Sequence, residues 1–254
     1  MMTFISCAKT MTARSKIHTP GTSVPRFEKE AEANALHMAQ FSPEQLGKLL
    51  RVNPKLAAEN CLRYHNFFSE DNRPLPALTS YTGIVFKRIS PTDFSEEDFL
   101  FAQTHLLITS FLYGLLRPLD GIKNYRLEGD VKLAETGYLT MFDYWKPLLT
   151  DYFIGEIKKQ GGILVNLASG EMKELFDWNR VCREVQVITP EFYVMKNRKP
   201  STVVVYTKMC RGEMTRYILK NRIESPEALK GFEWEGFSFD ESLSTPHSPV
   251  FTLM

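Results

Sequence analysis

The sequence feature that most constrains the fold is a run of branched apolar residues, Ile163-Leu164-Val165-Asn166-Leu167. It lies between Gly161-Gly162 and a turn at Ser169-Gly170. Short apolar runs bounded in this way are typical of strands buried on both faces of a sheet. Helices are predicted on either side, over Thr150 to Gln160 and from about Glu171 to Trp178. A buried strand between two helices predicts an α/β fold.

Two segments carry strong helix-start signals. Ser42 with Gln45 predicts a capping box at one start, and Ser95 with Asp98 predicts a second. After Ser95, apolar residues recur at helical spacing, which predicts a helix that ends near Gly114.

The remaining apolar runs are short and predict further strands. A helix is predicted from Gly212 to Arg222, and no linker or repeat interrupts the chain. The sequence therefore predicts a single domain over residues 1–254, with a mixed sheet flanked by helices. The further strands are predicted at Thr3 to Ser6, Val185 to Thr189, Thr202 to Tyr206, Phe237 to Phe239 and Val250 to Thr252.

The net charge of the chain is too small to create a positive electrostatic field that would attract a polyanion. There are 31 Lys and Arg residues against 30 Asp and Glu, a net charge of +1, so a nucleic-acid site must be a local patch. No apolar stretch is long enough for a membrane span, and the four cysteines form no CxxC pair. We expect a cytoplasmic protein with reduced thiols, no membrane partner and no cofactor.

Five segments resemble, in order, the motifs of the YaaA-like peroxide-stress family. They match its SPAKTM, YGLLRPLD with YRLE, YDFW, VNLAS-x-E and KKARG blocks. Because they are ordered and spread over nearly the whole chain, together they indicate the family more strongly than any one alone. The segments are Ser6–Met11, Tyr113–Asp120 with Tyr125–Glu128, Phe142–Trp145, Val165–Ser169 with Glu171, and Lys208–Gly212 with Met214 and Arg216–Ile218.

The resemblance implies a cytosolic protein of the response to hydrogen peroxide that limits damage by unincorporated iron. It also implies DNA binding through a positively charged cleft with a helix-hairpin-helix-like element, and no firm enzymatic reaction. Two positions depart from the family pattern: Cys7 replaces a Pro, and Ile84 stands where relatives tend to have Asp. Any chemistry of that acidic residue is therefore lost here.

The segment Tyr113–Asp120 suggests how DNA would be held. Gly114 suits a tight turn with positive φ, Arg117 follows it, and Pro118 suits the first position of a second helix. Such a hairpin directs backbone N–H groups at a phosphate. A helix that ends in a glycine cap before a proline turn fits the same residues.

A set of basic and turn residues forms the predicted site for DNA or another anion. Lys208 and Arg211 are placed at the entrance of the helix predicted from Gly212, where anions commonly bind. An ordinary solvated basic face is the alternative. The set is Lys9, Gly114, Arg117, Arg126, Lys208, Arg211 and Arg216.

The rival hypothesis is an enzyme that acts on a small anionic substrate. Its candidate catalytic residues are Lys9, Asn166, Ser169 and Glu171, with Glu171 as a base. The alternative for Ser169 is that it caps the following helix, with Glu171 in the first turn. The rival requires these side chains to share one cleft with Lys208 and Arg211.

Metal and thiol chemistry are weakly signalled. Asp120, Glu128 and Asp143 could supply carboxylates to iron, but their spacing does not demand it. Cys7 and Cys210 lie near cations, which can activate a thiol. Buried, inert thiols are the favoured interpretation.

Overall fold

A computed structural model describes residues 1–134 and 137–254. The helices are α1 (Glu28–Met38), α2 (Pro43–Leu50), α3 (Pro54–His65), α4 (Ala77–Ser80), α5 (Ile84–Ile89), α6 (Glu96–His105), α7 (Met141–Lys159), α8 (Trp178–Glu184) and α9 (Val204–Lys220). The strands are β1 (Met2–Ile5), β2 (Leu75–Pro76), β3 (Leu106–Ser110), β4 (Gly114–Leu116), β5 (Gly121–Ile122), β6 (Ile163–Asn166), β7 (Gln186–Ile188), β8 (Glu191–Lys196), β9 (Lys199–Ser201), β10 (Phe237–Phe239) and β11 (Val250–Leu253).

A mixed five-stranded sheet forms the centre, in the order β4-β3-β1-β6-β7. Strands β3, β1, β6 and β7 are parallel, and β4 is antiparallel at one edge. The two central strands are almost fully buried, as expected for strands covered on both faces. The predicted α/β fold with a mixed sheet is confirmed, and the carboxyl ends of β1 and β6 meet at one edge.

A second sheet has the order β10-β11-β8-β9. Phe192, Phe232 and Phe251 pack beneath it, with ring centroids 5.4 to 6.1 Å apart. Strands β2 and β5 form a small separate ribbon. Helix α9 lies along α5 and also contacts β8, so one helix links the second sheet to the region beside the central sheet.

The helix predicted to end near Gly114 ends at His105 instead. Its capping box is present, but the following residues Leu106–Ser110 are buried and form β3 beside β1. Burial in the central sheet outweighs the helical spacing of the side chains. The segment Tyr113–Asp120 then contains β4 and a turn, so the predicted helix-hairpin-helix is not formed there.

The sequence predicts a strand over Thr202 to Tyr206, but α9 begins at Val204. Val204 and Val205 are 64% and 42% exposed, so they lack the buried neighbours that favour a strand. Helix α9 begins two turns before the predicted start at Gly212. Lys208 and Arg211 therefore lie within a helix and not at its entrance.

Two further boundaries differ from the prediction. The segment after β6 forms a 3₁₀ helix over Gly170–Leu175, with α8 following it. Helix α7 begins at Met141, capped by the Thr140 side chain, and contains Pro147. Within the described residues, no helix has the length and apolar character needed to cross a membrane.

Candidate functional site

A cavity of about 440 Å³ lies at the carboxyl ends of β1 and β6. The residues after these strands line one side, and α5 and α9 line another. Edges of this kind are favoured ligand positions in α/β sheets. Its polar and charged lining residues include Ser6, Cys7, Lys9, Arg126, Glu128, Ser169, Glu171, Lys208 and Arg211.

Two serines join the ends of the two central strands. The Ser169 backbone N–H donates to Ser6 Oγ at 2.8 Å, and the two hydroxyl oxygens lie 3.1 Å apart. Ser169 occupies the N-cap position of the 3₁₀ helix, but its side chain makes no capping hydrogen bond. Its hydroxyl is instead held at the cavity wall.

Asn166 does not reach the cavity wall with the other candidate catalytic residues. It is 1% exposed, its Nδ2 donates to Thr189 Oγ1 at 3.3 Å, and its Oδ1 accepts from the Ala168 N–H at 3.2 Å. Both ends of the amide are therefore engaged in the framework. This arrangement gives Asn166 a supporting position behind the wall.

Glu128 is paired with two cations of the cavity. Lys9 Nζ lies 2.7 Å from Oε2, and Arg126 Nη2 lies 3.1 Å from Oε1. The carboxylate is buried, so both cations offset its loss of hydration. Arg126 Nε is also buried and has no hydrogen-bond partner within the described part of the chain.

Arg211 has a different environment from the other arginines of the predicted site. It is partly buried in the cavity wall, and burial lowers the pKa of its guanidinium. Across residues 1–134 and 137–254, no carboxylate, carbonyl or aromatic ring pairs with it. Lys208, one turn earlier, is exposed and also has no partner among those residues. A partly buried cation without a counterion is costly, so a bound anion would be favourable here.

Glu171 is exposed and is the third unpaired charge in the cavity, after Arg211 and Lys208. Burial raises the pKa of its carboxyl; Lys9 opposes this, whereas Glu128, Glu174 and Asp130 add to it. Its carboxylate has no hydrogen bond or close ion pair to any described residue. With four basic and two acidic side chains, the described lining carries an excess of positive charge.

Arg117 and Arg216 lie outside this lining and are already engaged. Arg117 pairs with the Glu156 carboxylate and donates to the Gln103 carbonyl at 2.6 Å. Arg216 donates to the Asp93 carboxylate at 2.9 Å and to the carbonyls of Ile89 and Ser90.

Gly114 has the positive φ expected of it, +72°. An added Cβ would lie 2.8 Å from the Trp145 ring. This glycine is therefore needed for close packing inside the protein.

The two cysteines near cations are protonated at neutral pH. Burial raises the pKa of the Cys7 thiol to about 11 and that of Cys210 to about 12. Cys210 is fully buried, whereas Cys7 lines the cavity. Neither has the thiolate character of a reactive cysteine.

Sequence reasoning missed the apolar part of the site. Phe86, Phe111, Leu127 and Met172 line the cavity and are each at most 5% exposed. Only Leu127 lay inside a recognised motif. Ile84 and Cys7, the two departures from the family pattern, also line the cavity. The described residues contain no group of three or more His, Cys, Asp or Glu side chains placed to hold a metal ion.

Comparison with known proteins gives a consistent result. The family model of peroxide stress protein YaaA matches residues 1–243. A UPF0246 protein of Phocaeicola vulgatus is 67% identical over 254 residues and covers 100% of both chains. A UPF0246 protein of Bacteroides fragilis is 66% identical over 252 residues, covering 99% of this chain and 98% of its own. One from Porphyromonas gingivalis is 43% identical over 256 residues, with 100% of each chain covered.

Proposed function

This chain belongs to the peroxide stress protein YaaA family, and we propose that it acts by binding a small anionic ligand in the cavity. Arg211 and Lys208 hold the anionic group, and Lys9 and Arg126 add positive potential. If the ligand is a substrate, Glu171 is the candidate base, because its carboxylate is free to accept a proton.

The observation that supports this proposal most is the unpaired guanidinium of Arg211. Arginines elsewhere in the predicted site have carboxylate partners, as Arg117 has Glu156 and Arg216 has Asp93. A guanidinium presents a planar set of donors that suits carboxylate and phosphate groups. We therefore infer that the unpaired Arg211 guanidinium binds a carboxylate or phosphate group of a ligand.

The experiment is calorimetric titration of the protein with inorganic phosphate, pyrophosphate and ribose 5-phosphate. Arg211→Gln removes the charge and leaves a shorter polar side chain, so affinity should fall about tenfold or more. Lys55→Gln, which alters an exposed lysine on α3, is the matched control and should bind as the wild type does. Equal affinity in Arg211→Gln, or no binding by the wild type, would contradict the proposal.

DNA binding is the second candidate function. It is favoured by the β8–β9 hairpin, whose residues Lys196, Arg198 and Lys199 are exposed and directly precede α9. Together with the exposed Lys208, these cations are available for phosphate contacts. Phosphate contacts of this kind would give salt-sensitive binding with little sequence preference, and shielding of DNA would be the route to limiting iron-driven damage.

The DNA candidate is tested by fluorescence anisotropy on labelled duplex, single-stranded and branched DNA at two salt concentrations. Replacing Lys196 and Arg198 with Gln should weaken binding to all three and flatten the salt dependence. Unchanged binding in this variant would remove the hairpin from the interface. If DNA binding is lost only in Arg211→Gln, the DNA-binding site is the cavity and not the hairpin.

A further inference from the structure

The cavity has a charged mouth and an apolar floor. Lys9 and Lys208 are exposed and therefore mark the mouth, whereas Phe111, Leu127 and Met172 are buried and mark the floor. A small inorganic anion would contact the mouth and leave the floor unused. The volume of about 440 Å³ lies in the range of sites for whole organic ligands.

The hydroxyl groups beside the apolar floor are already hydrogen-bonded. The Tyr125 hydroxyl lies 2.7 Å from the hydroxyls of both Tyr81 and Ser110. Met172 Sδ accepts from Thr109 Oγ1 at 3.1 Å. The floor therefore offers an apolar surface to a ligand and few free hydrogen-bonding groups.

Phe111 is held rigidly and offers an aromatic surface. It packs edge-to-face on Phe142, with ring centroids 5.4 Å apart. Gly129 lies so close that an added Cβ would come within 2.8 Å of the Phe111 ring and 2.2 Å of the Phe142 ring. A fixed aromatic ring beside aliphatic side chains suits a flat ring system.

Glu171 offers a hydrogen-bond acceptor where the cavity meets solvent. An ionised carboxylate can accept two parallel N–H bonds from one planar edge. Glu171 is exposed at the cavity, and its oxygens receive no donor from any described residue, so both remain available to a ligand. A ligand with two adjacent N–H groups would satisfy both oxygens.

We propose that the cavity binds a guanine mononucleotide. The base lies on the apolar floor, and its N1–H and 2-amino groups donate hydrogen bonds to the Glu171 carboxylate. The phosphate is held by Arg211 and Lys208. Guanine is the common base whose Watson–Crick edge presents this pair of donors. Adenine lacks the N1–H, and hypoxanthine lacks the 2-amino group. The inference deepens the proposed function and rests on it, since it assigns the anionic group to the same two cations.

The test is a calorimetric series on the wild-type protein with GMP, IMP, AMP and ribose 5-phosphate. GMP should bind tightest, IMP several-fold weaker because one donor is lost, and AMP and ribose 5-phosphate about tenfold weaker or more. This series requires no variant, so a folding defect cannot obscure it.

Glu171→Gln then tests the assigned acceptor. The amide has one acceptor oxygen and presents donors to the base, so the preference for GMP over AMP should disappear. Binding of ribose 5-phosphate should be unchanged or improved. Lys173→Gln, on the same 3₁₀ helix but outside the cavity lining, is the matched control and should keep the GMP preference.

The outcomes separate this inference from the proposal beneath it. If GMP, AMP and ribose 5-phosphate bind equally and all require Arg211, the anion site stands and the guanine assignment is overturned. If none of them binds, the anion site itself is contradicted. Retention of the GMP preference in Glu171→Gln would also overturn the assignment.

Discussion

Arg211 and Arg216 lie on the same helix, yet their side chains have opposite environments. Arg216 binds a carboxylate and two backbone carbonyls, so it fastens α9 to the turn after α5. Arg211 is partly buried without such partners among the described residues. An unpaired guanidinium in a cavity wall does not stabilise the fold. A site for an anion, in contrast, needs a cation that no internal carboxylate neutralises.

Arg211→Met should therefore stabilise the ligand-free protein. The substitution keeps the apolar stem and removes a charge that the fold leaves unpaired, so the free energy of unfolding should rise by about 1 kcal/mol. Urea denaturation measures this, and added phosphate should stabilise the wild type but not the variant.

Arg216→Met provides the contrast. It leaves Asp93 and two carbonyls without their donor, so the free energy of unfolding should fall by about 2 kcal/mol. Destabilisation of Arg211→Met to the same extent would mean that Arg211 has an internal structural role.

At the scale of elements, the site depends on the close approach of α5 and α9. An added Cβ at Gly212 would lie 2.4 Å from the Val85 carbonyl oxygen and 2.6 Å from Arg88 Cβ. Val85 of α5 and Arg211 of α9 both line the cavity. The same glycine that lets the helices touch therefore sets the position of the anion-binding side chain.

Gly212→Ala should force the two helices apart. The free energy of unfolding should fall by about 2 kcal/mol through overpacking, and phosphate affinity should fall with it. Gly155→Ala is the control, because that residue lies within α7 and, apart from its chain neighbours and the backbone of its own helix, no described atom is within 4 Å of the added Cβ. It should gain about 1 kcal/mol from helix propensity. Equal effects of the two substitutions would contradict the tight contact.

Asp98 joins α6 to the end of α9. Burial alone would raise the pKa of its carboxyl, but hydrogen bonds from Lys220, the Ser95 N–H and Arg222 outweigh it and lower the pKa to about 2. Because this value is below the unfolded value of about 4, the ion pairs stabilise the protein above about pH 4. Their contribution is lost as the pH falls towards about 2.

Asp98→Asn should lower the free energy of unfolding by about 3 kcal/mol near neutral pH, since it leaves two cations without their carboxylate. The difference from the wild type should shrink between about pH 4 and about pH 2. Denaturation at several pH values measures it, with exposed Glu97→Gln as the matched control. A difference that stays constant with pH would rule out the assigned ion pairs.

Local sequence signals are reliable where the interacting residues are close together in the sequence. The capping boxes at Ser42 and Ser95 are present because each forms within four residues. Signals failed where distant residues decide the outcome. Leu106–Ser110 became a strand because β1 pairs with it, and Val204 became helical because no strand covers it. The local sequence pattern shows neither that β1 pairs with Leu106–Ser110 nor that Val204 lacks a covering strand.

At the scale of the whole molecule, the α/β class and the cluster at the strand ends could be predicted from the sequence. The small-ligand hypothesis requires six residues in one cleft, and five of them line the cavity: Lys9, Ser169, Glu171, Lys208 and Arg211. Asn166, the sixth, lies behind the cavity wall. The sequence could not distinguish Arg211 from Arg117 or Arg216, because pairing with distant carboxylates depends on the folded chain. The apolar floor was missed for the same reason.

The central claim is that an anion binds at Arg211. The most direct test is to record the arginine Nε–H signals of the ¹⁵N-labelled protein by NMR during titration with inorganic phosphate. The Arg211 signal is assigned by its loss in Arg211→Lys. We expect it to move in a saturable way while the signals of Arg117 and Arg216 stay fixed. An unmoved Arg211 signal, or equal shifts at all three arginines, would contradict the claim.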